Sequence, residues 1–136
     1  MIIQPGTNLL GDLLEEFCSE KGLGKPPARV NLYSREEYIE ETGDDKTAAR
    51  YSANKDQIAV SPDIVSHINL ILHELAHHYQ SLREGSAKFD RKYDEHTKTY
   101  GYIDNPYEVE ARKLEMKWWP EFEQLLKKKL EASGIG

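Results

Sequence analysis

Cysteine is almost missing from this chain: Cys18 is the single one in 136 residues, so no internal disulfide can form. Its setting, LLEEFCSE, points instead to a small buried apolar side chain. Long apolar runs are missing too. No stretch approaches the ~18 to 20 apolar residues that a membrane-spanning helix needs, so no membrane partner is expected. The opening MIIQPGTN has no basic start followed by an apolar run, so no secretory signal is expected and the cytoplasm is the expected location. Positive charge is also short. The formal net charge is -6, whereas a phosphate-binding surface needs a basic excess or a basic stripe, so no nucleic-acid partner is expected. The one basic run, Lys127 to Lys129, lies among Leu125, Leu126 and Leu130 and reads as a solvated helix face. No repeat and no low-complexity linker interrupts the chain. With 38% apolar and 31% charged residues at this length, a single globular domain is expected rather than a disordered segment.

Patterning divides that domain. Leucines at 9, 10, 13 and 14 with Phe17 predict a first amphipathic helix that stops near Gly22 and Gly24. RVNLY is a short alternating strand. SREEYIEETG, with its serine start, acidic first turn and glycine stop, predicts a short helix. AARYSA and DQIAVS are strand candidates joined by NKD, a suitable hairpin turn. Residues 1–60 are therefore expected to hold the N-terminal helix and a small, mostly antiparallel three-stranded sheet. Ser61, Pro62 and Asp63 form a helix start, predicting one long helix over 61–84. Residues 85–104 are polar and tyrosine-rich without a clear period and are expected to form a loop. Residues 105–133 are expected to be helical, broken or kinked at Pro120. The expected class is α+β, with the sheet packed on the central helix and a helical C-terminal part.

The central helix carries an unusual set of side chains, in INLILHELAHHYQSL. At about 100° per residue, Ile64, Ile68, Ile71, Leu72, Leu75, Tyr79 and Leu82 gather into one stripe. His73 and His77 fall opposite its centre, one above the other, while His78 lies at the edge of the stripe and is expected to be a satisfied core histidine. His67 is expected at the surface. Two imidazoles four apart can bind one metal ion at about 2.0 to 2.1 Å each, and Glu74 can reach a water on that ion as general base. HELAH is thus the H-E-x-x-H signature of zinc-dependent hydrolases. A catalytic zinc needs a third protein ligand. Glu108 and Glu110 in NPYEVEARKLE are the candidates, and they point about 160° apart, so only one can face the metal. Helical periodicity does not choose between them, and Glu108 has a competing use as capping partner of Asn105. His96, Tyr100 and Tyr102 are further candidates, as donors to a developing oxyanion.

HELAHHYQ followed by NPYEVEA resembles the paired motifs of gluzincin metallopeptidases, whose third ligand is a glutamate on a downstream helix. The likeness is nearest to the small minigluzincins, and is shared with intracellular regulatory peptidases that carry an E-x-x-A element. The resemblance implies a zincin-like fold, one catalytic Zn2+, His73, His77 and Glu108 as its ligands, Glu74 as the catalytic base and a polypeptide substrate. Glu108 matches because Ala111 stands three residues after it. Thermolysin-like members place an aspartate four residues after the ligand glutamate, where this chain has Arg112. Asp104 or a backbone carbonyl is therefore expected to orient an imidazole instead. Latency is also implied, with the segment after Pro120 or the stretch from Ser86 to Tyr100 lying across the site. Two other expectations stand beside peptide hydrolysis: a zinc-binding regulatory or interaction domain without turnover, and a helical interaction domain with chance histidines. A homodimer is among the expectations, as small domains with spare apolar surface often pair.

Overall fold

The computed structural model describes residues 9–132, in the order α1 (Leu9–Lys21), β1 (Arg29–Leu32), α2 (Arg35–Thr42), β2 (Ala49–Ser52), β3 (Gln57–Val60), a 3-10 turn (Pro62–Ser66), α3 (Leu70–Glu84), α4 (Ser86–Asp104) and α5 (Pro106–Ala132). The N-terminal part follows its local chemistry. Ser34 and Glu37 form a capping box at the start of α2, each side chain bonding the other's backbone amide, and Gly43 ends the helix with φ 70°. The hairpin joining β2 and β3 pairs them antiparallel, with Tyr51 opposite Ile58.

The sheet order is β1-β3-β2, and β1 pairs parallel with β3. The sheet is therefore mixed, with one parallel and one antiparallel pair, rather than mostly antiparallel. The hairpin turn constrains only its own two strands. β1 lies beside β3 instead of β2, and the crossover through α2 brings the two in the same direction.

Three further expectations need correction. The start at Ser61, Pro62 and Asp63 caps the 3-10 turn, with Ser61 Oγ accepting from Asp63 N; the long helix begins only at Leu70. Residues 86–104 are a helix rather than a loop, interrupted only at Gly101, whose φ of 80° and ψ of 169° suit a residue without a Cβ. Its inward stripe is buried Phe89 with half-buried Tyr93 and His96, at spacings of four and three. With one apolar ring beside two polar ones, the stripe does not stand out by hydropathy. Pro120 does not break α5, which continues to Ala132. The proline leaves the Met116 carbonyl without its helical donor, on an exposed face. Trp118, Phe122, Leu125 and Leu126 on the other face are buried in the core.

That core joins α1, the sheet, the inner face of α3 and α5. Phe17 of α1 meets Trp118 and Phe122 edge-on at 6.1 and 5.5 Å. Cys18 is buried among them, as its setting predicts. The segment after Pro120 is held against α1, where Lys129 pairs with Glu16 at 2.8 Å and Glu121 with Lys21 at 2.9 Å. Leu82, the last member of the predicted α3 stripe, is 60% exposed. Among the described residues, no helix is long and apolar enough to cross a membrane.

Candidate functional site

The face of α3 opposite the core is not left bare. α4 and α5 cover it, and His73 and His77 are each only 7% exposed. Their rings lie 4.9 Å apart, as a spacing of four on one helix requires. Glu108, in the first turn of α5, projects between them. Its Oε1 lies 2.7 Å from His73 Nε2, and its Oε2 lies 3.0 Å from His77 Nε2. Tyr93 of α4 donates to Glu108 Oε2 at 2.5 Å.

The two candidate glutamates part company here. Glu110 turns away from the histidines and accepts from Gln80 at 2.8 Å and Arg83 at 3.3 Å. Nor does Glu108 cap its own helix. The Asn105 side chain takes that place, accepting from Tyr107 N at 2.9 Å and donating to Tyr93 O and Thr97 Oγ1.

Each imidazole is steadied from behind. His73 Nδ1 lies 3.1 Å from Glu115 Oε1, and Glu115 Oε2 accepts from Asn69 at 2.6 Å. His77 Nδ1 lies 2.8 Å from Gln80 Oε1, and the Gln80 amide donates to Tyr107 O and to Glu110. The orienting groups are thus Glu115 and Gln80, not Asp104 or a backbone carbonyl. Glu115 stands seven residues after Glu108, two helical turns along the same face of α5, a spacing that the sequence itself carries.

With acceptors at both ring nitrogens, each histidine is held best in its doubly protonated form. Burial alone would lower the His77 pKa, but the bond to Glu108 and the charge of Glu74 outweigh it and push the value up to about 9. His73 is raised likewise. Burial works against ionised Glu108, yet its two imidazole partners hold it well below the usual carboxylate range.

Glu74 is partly buried, and its Oε1 accepts the Tyr51 backbone N–H of β2 at 2.8 Å. Burial pushes its pKa up against the pull of both histidines. His73 and Glu74 open onto a cavity of about 630 Å³, bounded by Ala48 and Ala49 of the sheet edge and by Tyr102, Arg112 and Glu115. Neither segment expected to cover the site, Ser86 to Tyr100 or the part after Pro120, supplies a residue to this wall; Tyr102, just past the first, does. His96 packs on Tyr107 and Tyr100, with ring centroids at 5.4 and 5.8 Å, and neither His96 nor Tyr100 lines the cavity. His78 is buried against Lys25 O at 2.8 Å and His67 is exposed, both as expected.

The donor set suits a metal ion. One nitrogen from each histidine and one Glu108 oxygen all lie within 4.8 Å of one another, and the far nitrogens are already held. Imidazole and carboxylate donors accept zinc, and also iron, cobalt or nickel. Compared with family models, with curated proteins and with solved structures, the chain finds no match in any of the three.

Proposed function

We propose that this protein is a zinc-dependent peptidase of the zincin type, similar to the minigluzincins, with His73, His77 and Glu108 as the metal ligands and Glu74 as the catalytic base. One observation carries the proposal: two imidazoles and a distant carboxylate converge at one point, while the carboxylate next to the first imidazole faces the adjoining cavity. A structural zinc site closes its fourth position with another protein ligand and has no use for a base.

Zn2+ bound there supplies Lewis acidity to a water molecule and to the scissile carbonyl. The remaining chemistry belongs to the chain. Glu115 and Gln80 keep the imidazole Nε2 lone pairs aimed inward by holding the Nδ1 protons. Tyr51 N–H fixes Glu74 Oε1, leaving Oε2 to take the proton of the attacking water and deliver it to the leaving amine. The raised pKa of Glu74 suits both transfers. Tyr102 offers a phenolic donor to the developing oxyanion. Burial and the nearby Glu108 push its pKa up to about 12, so it keeps its proton at neutral pH.

Substrate pairing is proposed at the sheet edge. Among the described residues β3 is central and β2 is the edge strand next to α3, so an extended peptide can add beside Tyr51, whose own N–H Glu74 holds. A second cavity of about 240 Å³ flanks the other end of β2, between the hairpin and Phe89 and Asp90, so concave surface borders the strand at both ends.

The test is elemental analysis together with hydrolysis of an unstructured polypeptide by zinc-loaded protein. One zinc per chain is expected, with activity falling ~100-fold or more in Glu74→Gln while zinc is retained. Stoichiometric zinc without turnover would leave a zinc-binding domain instead; absence of zinc would remove the metal centre.

A further inference from the structure

Arg112 stands where thermolysin-like sequences place an aspartate, and the metal centre does not use it. It lines the 630 Å³ cavity with Arg35 and Lys46, against Asp63, Glu74 and Glu115. The charges look balanced until their commitments are traced. Arg35 bonds Thr47 O at 2.8 Å and Asp45 O, and it pairs with Asp63 at 3.5 Å, so these two charges neutralise each other. Glu115 is committed to His73 and Asn69. Glu74 is held by Tyr51 N–H beside the two histidines.

Two cations remain. Arg112 gives one amino group to Ile103 O, and a guanidinium carries five N–H donors. Lys46 is exposed, and its ammonium enters no ion pair with the described residues. They reach the cavity from different elements, α5 and the loop before β2.

We infer that this cavity is a carboxylate-binding subsite, in which Lys46 and Arg112 receive an acidic group of the bound peptide next to the metal centre. The inference rests on the proposed peptidase function for the meaning of the subsite, but its test does not depend on turnover. A carboxylate accepts two parallel N–H bonds from Arg112 and a third charge-assisted one from Lys46, in surroundings partly shielded from water. Two sources share this chemistry, an Asp or Glu side chain and the free carboxylate at a peptide C-terminus.

The test uses zinc-loaded Glu74→Gln protein and fluorescence anisotropy with three labelled peptides of one alanine-rich backbone: amidated and neutral, amidated with one internal glutamate, and neutral with a free C-terminal carboxylate. One or both carboxylate peptides are expected to bind about tenfold tighter than the neutral one, with the preference weakening in high salt. Preference for the internal glutamate alone assigns the subsite to a side chain; preference for the free terminus alone assigns it to the peptide end. Lys46→Gln and Arg112→Gln should each reduce the preference, whereas Lys98→Gln, on exposed α4, should not. Arg112→Lys, which keeps a charge but loses the paired donors, should fall between. Equal binding of all three peptides, or a preference untouched in Lys46→Gln and Arg112→Gln, overturns the inference.

The same samples separate the two ideas. Zinc present with no carboxylate preference removes the subsite and leaves the metal centre. A preference that persists in protein unable to hold zinc removes the metal centre and leaves the subsite.

Discussion

At the proposed metal centre zinc and protons would compete for the same two nitrogens, and the competition can be measured as stability. In the metal-free protein the His77 pKa is raised from 6.5 to about 9 and that of His73 is raised too, because the lowering effect of burial is outweighed by the Glu108 bond and the charge of Glu74 together. A histidine whose folded pKa exceeds its unfolded one stabilises the fold fully below the unfolded value. That contribution is lost as pH rises through the folded value. For His77 alone the shift corresponds to roughly 3 kcal/mol, lost between about pH 6.5 and 9. A domain of 136 residues unfolds with an entropy of about 0.3 kcal/mol/K, so metal-free Tm should fall by about 10 °C across that window. Zinc bound as proposed would take the place of the protons on both Nε2 atoms and should abolish the decline. At a hundredfold excess over its dissociation constant it adds about 2.7 kcal/mol, or roughly 9 °C. Calorimetry of chelator-stripped protein at pH 6, 7.5 and 9, with and without zinc, reads both effects. The zinc-induced rise should grow with pH, and Glu108→Gln should flatten the metal-free curve. A Tm indifferent to zinc at all three pH values, or a metal-free Tm that holds steady above pH 6.5, refutes the reasoning.

Substitutions at three further positions probe the surrounding groups. Glu115→Ala should weaken zinc binding by about 10- to 100-fold, measured by competition with a chromophoric chelator, because His73 loses the acceptor that orients it. Glu115→Gln, which keeps an acceptor, should restore most of the affinity. Tyr93→Phe should cost the metal-free protein about 1 to 2 kcal/mol in urea unfolding, since buried Glu108 loses a short charge-assisted bond. Gly101→Ala should cost about 1 to 3 kcal/mol in the same assay. Beyond its chain neighbours and its own helix backbone nothing lies within 4 Å of the added methyl, so the effect is the backbone penalty at φ 80° and ψ 169°.

Elements stabilised by their own neighbours were legible in the sequence. The α2 capping box, the β2–β3 hairpin and the α1 stripe each depend on residues a few positions apart. The pairing of His73 with His77 is of the same kind, being a property of one helix. What lay out of reach depended on distant partners. The direction of β1 is set by the strand it docks on, and Pro120 is tolerated because packing against α1 holds α5 together on both sides of it. Glu108 and Glu110 flank the same stripe of α5, and only the position of α3 decides which one meets the histidines.

The helix that the sequence concealed is also one of the two that cover the histidines. Without α4, His77 would lose the rings packed on it and Glu108 the Tyr93 hydroxyl. α4 covers that face with Phe89 and Tyr93, whose rings lie 6.2 and 6.0 Å from the His77 ring. An aliphatic cover would bury the histidines but give Glu108 no donor. A fully polar cover would give donors but admit water. Aromatic rings with one hydroxyl do both, which is why the stripe of α4 is too polar to read as a core helix and apolar enough to act as one. The concealment of α4 and the burial of the candidate metal centre therefore have the same physical origin.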